Sequence, residues 1–131
     1  MRVAFASNDG VNINEHFGQA DSFHVWEVGP AQASPVDVLT GLAHGLENED
    51  HILTKAQALQ GCLIACSVQI GGPAAAKLVA RKIHPLKTES VIPIRDMVEK
   101  LQNALRGNAP PWLAKAMGLT PMRRLSADAE V

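Results

Sequence analysis

Apolar and polar positions along the chain follow two periods: short continuous runs that suit strands and three- to four-residue spacings that suit helices. Arg2 to Ser7 is a nearly continuous apolar run closed by Asn8-Asp9-Gly10, the pattern of a central strand entering a loop. Phe23 to Val28 and Val36 to Thr40 are rich in β-formers and set apart by Gly29-Pro30 and Ser34-Pro35, which predicts a hairpin continuing the sheet. From Asn48 to Gln60, Ile52, Ala56 and Leu59 recur at helical spacing, with Glu49 and Asp50 at the positive end of the helix dipole and Gly61 as the stop. Cys62 to Val68 is a second buried-strand run. Gly71-Gly72-Pro73 then opens a helix over Ala74 to Arg81, with proline in its first turn, and His84 to Lys87 makes a short strand. Ile94, Met97, Val98, Leu101 and Leu105 share one helical face from Pro93 to Arg106, and Gly107 closes it.

The resulting order, β-β-β-α-β-α-β-α, predicts an α/β fold: a mixed five-stranded sheet flanked by helices, because parallel strands need crossovers. If the first and fourth strands are parallel neighbours at the sheet centre, their carboxyl ends form a switch point where a ligand would sit. After Gly107 the composition changes, so residues 1–107 read as the α/β domain and 108–131 as a C-terminal tail with a short amphipathic helix and a mobile polar end. In that tail Trp112, Leu113, Ala116 and Met117 form one apolar stripe, which must dock either on its own domain or on a partner.

Composition narrows the function. With 131 residues, 47% of them hydrophobic and 19% charged, the chain can build one core without disulfide staples. Twelve Lys plus Arg against thirteen Asp plus Glu leave a net charge of −1 and no basic run, so nucleic acid is not an expected partner. The longest apolar stretches are far shorter than the ~20 residues that cross a bilayer, which excludes a membrane-spanning helix. Met1-Arg2 is followed by only four apolar residues, so the core of a secretory signal is missing and the cytoplasm is the expected compartment. Tyr is absent and aromatics are few, which argues against a base-stacking or carbohydrate-binding surface.

The loop from Asp9 to Gly18 and the loop from Ser67 to Gly72 would open into the same crevice. His16 is the sharpest candidate there, because a neutral imidazole on a loop suits iron and similar metals and Gly18 allows close backbone approach. A solvated or loop-capping histidine fits the same position. Gly71-Gly72-Pro73 would place backbone amides and a helix dipole at the crevice, a seat for an anion, though a plain strand-to-helix turn also explains it. Cys62 and Cys66 stand about 13 Å apart on a strand at ~3.3 Å per residue, so one small metal cannot bridge them. Cys66, toward the carboxyl end, is the thiol that could face the crevice; burial as a small hydrophobe is the simpler expectation for both. Asp9 lacks the convergent acids that two-metal chemistry needs, and no phosphate-binding or dinucleotide fingerprint is present. His44 and His51 flank an acidic linker, as solvated residues or additional ligands, while His24 and His84 read as structural.

The D-G-x-x-x-x-x-H-F-G loop from Asp9 to Gly18, Leu59-Gln60-Gly61-Cys62, Gly71-Gly72-Pro73-Ala74-Ala75-Ala76 and His84-Pro85-Leu86-Lys87 together resemble the dinitrogenase iron-molybdenum cofactor biosynthesis family. The ending Gly107 to Lys115 is similar to its NifX branch, and the related NafY proteins add an N-terminal domain where this chain starts directly at the first strand. The resemblance covers about Met1 to Gly118. It implies a ribonuclease-H-like fold without nuclease activity: no enzyme, but a carrier of an iron-sulfur precursor cluster (the NifB product) or of finished iron-molybdenum cofactor for nitrogenase. The implied partners are a cofactor assembly scaffold, a NifB-type donor and apo-dinitrogenase. In the family the histidine of H-F-G, here His16, is the cluster contact. Asn12, Phe17, Gly18, Gly71 and Gly72 complete the candidate cofactor-binding set, and His16 with Cys66 the candidate metal ligands. The alternative is a chaperone or insertase of the NafY type that docks on apo-dinitrogenase through the tail.

Overall fold

The computed structural model describes residues 1–42 and 49–116. Its centre is β1 (Arg2–Ala6), in which Val3, Ala4, Phe5 and Ala6 are all fully buried, as expected of a strand covered on both faces. On one side β1 pairs in parallel with β5 (Ile64–Ser67), and β5 in turn with β6 (His84–Lys87). On the other side it pairs antiparallel with β3 (Phe23–Val28), which continues antiparallel into β4 (Ala33–Leu39). The sheet order is therefore β4-β3-β1-β5-β6, the mixed five-stranded arrangement expected, and one compatible with a ribonuclease-H-like fold.

Side-chain alternation divides the core in two. Ala4, Ala6 and Ala65 point to the face covered by α1 (Glu49–Ala58) and α2 (Gly72–Ala80), where Phe17, Phe23, Leu59 and Leu78 supply the bulk. Val3, Phe5, Ile64 and Cys66 point to the opposite face, against Ile94, Met97, Val98 and Leu101 of α3 (Ile94–Asn103).

Four departures from the sequence reading have local causes. The second hairpin strand begins at Ala33 rather than Val36, because Pro35 is tolerated on an edge strand beside the register shift between Val25 and Trp26. The helix after β5 starts two residues early, with Gly72 and Pro73 inside its first turn. The third helix leaves α geometry after Asn103 and passes through a wider turn at Ala104–Asn108, where Gly107 takes a φ of 132°. Two-residue strands β2 (Asn12–Ile13) and β7 (Ile92–Pro93) form a separate antiparallel pair, too short to leave a periodic signal. This pair ties the loop after β1 to the start of α3, and the Ile94 amide adds a bond to the Val11 carbonyl at 2.8 Å.

The tail begins with α4 (Pro111–Ala116). Leu113 is fully buried in the cluster under α3, and the Trp112 ring stacks on His84 with centroids 4.3 Å apart. Met117 and the polar end lie outside the described residues. Burial of Leu113 predicts that Leu113→Ala costs about 2–4 kcal/mol of stability. Urea denaturation checks this, and the variant should keep every binding property of the crevice described next.

Candidate functional site

The loop leaving β1 is organised by its own polar side chains. The buried Ser7 hydroxyl accepts the amides of Gly10 (2.9 Å) and Asp9 (3.3 Å) and donates to Asp9 Oδ1. Asp9 Oδ1 in turn accepts the amides of Asn12 and Val11, and these bonds pull its carboxyl down to about 2. Asn12 also reaches Asp9 Oδ2 through its side-chain amide. Asp9 and Asn12 thus shape the loop. Gly10 is required by this turn: its φ is +75°, and a Cβ would stand 2.9 Å from Cε1 of His24.

Beyond Ile13 the chain turns back over the end of the sheet. The Asn14 amide donates to the Ala6 carbonyl, and the Gln19 and Ala20 amides both donate to the His16 carbonyl, closing a tight turn. Two backbone bonds then fasten this turn to the loop after β5. The Phe17 amide donates to the Gln69 carbonyl at 2.8 Å, and the Val68 amide donates to the Glu15 carbonyl at 3.0 Å. The Phe17 ring is fully buried against Phe23, with centroids 5.5 Å apart, so His16 and Gly18 on either side are held outward and exposed.

The result is a depression of about 390 Å³ lined by His16, Gly18, Gln19, Gln69, Ile70 and Gly71. A Cβ on Gly18 would meet nothing within 4 Å, and one on Gly71 only the Pro73 ring at 4.0 Å. Packing does not demand glycine at either position; side chains there would fill the depression. Gly71 caps α2 without a side-chain hydrogen bond, and Gly72 follows as the first helical residue. The start of α2 therefore turns its dipole toward the same space.

Of the residues singled out from the sequence, His16, Gly18 and Gly71 line the depression, Gly72 adjoins it, and Phe17 supports it from beneath. Cys66 is not brought to it. Its side chain points to the α3 face, fully buried, and burial pushes the thiol well above its ordinary range. Cys62 is buried on the other face and pushed up to about 11. Among the described residues no three His, Cys, Asp or Glu side chains gather as a metal site. His24 lies beside Gly10, His84 stacks on Trp112, and His44 lies outside the described residues.

Sequence reasoning passed over Gln19, Gln69, Ile70 and, above all, Lys55. Lys55 is fully buried beneath the turn, and its Nζ donates to the Phe17 carbonyl at 2.7 Å. Desolvation lowers its pKa to about 8, against the opposing pull of Asp21 and Glu15. A signal for it existed: Lys55 stands three residues after Ile52 and four before Leu59, on the apolar stripe of α1.

The sequence profile of the Dinitrogenase iron-molybdenum cofactor family matches residues 1–104. The chain belongs to this family. Protein NifX of Rhodobacter capsulatus is 37% identical over 136 residues, covering 99% of this chain and 86% of that protein. Protein NifY of Azotobacter vinelandii is 36% identical over 125 residues, covering 95% of this chain; the chain spans only 51% of NifY's length. A solved structure, "Crystal structure of PH0822", superposes with a TM-score of 0.63 at 20% identity, over 79% of this chain and 91% of that one, a likeness of fold. No described helix is long and apolar enough to cross a membrane.

The lowered pKa of Lys55 has a consequence for stability. Between about 8 and the ordinary 10.5 the unfolded chain still holds a proton that the folded chain has released. Lys55 therefore adds stability as pH rises through this window, and that contribution is lost as pH falls through 8. Wild type should gain roughly 1–2 kcal/mol relative to Lys55→Met between pH 7 and pH 9.5, as read by chemical denaturation.

Proposed function

We propose that this protein is a non-enzymatic carrier in nitrogenase cofactor assembly, which seats an anionic metal-sulfur cluster in the crevice against His16. The observation that carries the reading is the convergence of an exposed imidazole with open glycine backbone and an uncapped helix start. The imidazole would coordinate iron through one bond, while the helix dipole and amide groups offset the cluster's negative charge. One histidine gives a hold that can be exchanged, whereas several thiolates would oppose release.

The cargo on this reading is an iron-sulfur precursor such as the NifB product, or the finished iron-molybdenum cofactor. The partners are the donor and the assembly scaffold that receives it. Among the described residues that line the crevice no pair is arranged as nucleophile and base, and the Asp9 carboxylate is engaged in its own loop, which supports carriage over catalysis. A second reading is a chaperone of apo-dinitrogenase. It is favoured by a separate apolar depression of about 360 Å³ between α3, α4 and β6, lined by Leu86, Met97, Leu101 and the half-buried Trp112. Stable co-elution with apo-dinitrogenase in the absence of cluster would support it.

Anaerobic titration with isolated precursor cluster, followed by visible absorption and iron counting after gel filtration, tests the carrier reading. His16→Ala should weaken retention about tenfold or more, equivalent to ~1.4 kcal/mol, without changing the melting temperature. Cys66→Ser should leave retention unchanged and lower stability instead. Equal retention by wild type and His16→Ala would overturn the assignment.

A further inference from the structure

We propose that Lys55 is a positioning residue of the crevice: a buried cation that holds the His16–Phe17–Gly18 turn by its middle carbonyl and selects anionic over cationic cargo. This rests on the crevice reading given above. The geometry is specific. Lys55 lies on α1, where its neighbours Leu53, Thr54 and Gln57 are exposed, yet its own side chain is turned inward and fully buried. Its ammonium donates to the Phe17 carbonyl at 2.7 Å and lies 5.6 Å from the centre of the Phe17 ring. Phe17 is flanked in sequence by His16 and Gly18, both of which line the depression. The positive charge therefore sits one peptide behind the wall of the crevice.

Packing does not call for a charge at this place. A methionine of similar reach would fill the same space without the desolvation that an ammonium suffers. The carboxylates facing Lys55, Asp21 and Glu15, do not offset that desolvation, since the pKa remains lowered in their presence. The Asp21 and Glu15 side chains also accept other bonds, from the Gly41 amide and from Asn8 Nδ2. A cation kept at such cost, bonded to a neutral carbonyl, leaves field directed toward whatever approaches His16. An anionic metal-sulfur cluster gains from that field, and a bare divalent cation is repelled by it.

The test uses the full chain, with tetrathiomolybdate as a dianionic metal-sulfide probe and Co²⁺ as a cationic one, titrated anaerobically at low salt. Lys55→Met removes charge and donor, Lys55→Gln keeps a donor without charge, and Lys55→Arg keeps both. The Met and Gln variants should bind tetrathiomolybdate about tenfold more weakly and Co²⁺ more tightly, whereas Arg should stay within about threefold of wild type for both probes. If Lys55→Met fails to fold, the Gln variant carries the comparison. Unchanged tetrathiomolybdate affinity in the uncharged variants, parallel loss of both probes, or an Arg variant as weak as Met would each overturn the proposal. His16→Ala, titrated with the precursor cluster that brings its own iron, separates the two readings: if it retains cluster as wild type does, the crevice reading fails, and if it loses cluster while the uncharged Lys55 variants bind tetrathiomolybdate as wild type does, only the role of Lys55 fails. A wild-type chain that binds no tetrathiomolybdate overturns the role of Lys55, while the crevice reading is decided by the precursor cluster.

Discussion

Two backbone hydrogen bonds, Phe17 to Gln69 and Val68 to Glu15, hold the site together. Neither belongs to the regular sheet. They carry the neighbourhood of β1 and β5 past the ends of the strands, so that the two loops at the switch point behave as one piece. Without them the turn around His16 would lose its backbone tie to the loop after β5, keeping the bonds to Ala6, the Lys55 ammonium and the Phe17 ring. With them, the ring goes inward as a core residue and the imidazole next to it has no course but outward. The same anchoring sets the distance between His16 and the start of α2, so the exposed imidazole and the helix dipole are presented to one volume.

The parts of this arrangement visible in the sequence were those encoded by local pattern. A continuous apolar run such as Val3 to Ala6 is hard to read as anything but a central strand, and Gly71-Gly72-Pro73 marks a helix start with equal clarity. The parts not visible depended on long-range contacts. Pro35 looked like a boundary because its edge position and the neighbouring bulge are properties of the partner strand, not of the tetrapeptide around it. Cys66 stood near the right end of the right strand, but alternation sends its side chain to the α3 face, and the phase of that alternation is fixed only when β1 and β5 are in register. Lys55 carries a charge, and most lysines face solvent; that rule fails where helix phase places one among Ile52, Ala56 and Leu59.

The site and the core make opposite use of polarity. Ser7, Asp9 and Asn12 spend their hydrogen-bonding capacity on one another and on nearby amides, which leaves a rigid loop with little chemistry of its own. Among the described residues the crevice is lined by one imidazole, glycine backbone, two glutamines and Ile70. On the reading proposed above, the cluster would bring its own charge and its own open coordination positions to this surface.

Both outer strands of the sheet carry a proline, Pro35 in β4 and Pro85 in β6. In β6 the His84 amide bonds inward to the Leu63 carbonyl, so strand alternation turns the next position, the one that lacks an N–H, to the outside. In β4 the proline sits beside the bulge, where the strand bends away from straight pairing. Neither edge therefore presents an unbroken row of donors to a second chain, and growth of the sheet by strand addition is blunted at both ends. For a small protein, sheet edges that resist strand addition leave the faces and the loop ends of the sheet, rather than its rims, as the surfaces on which other molecules can dock.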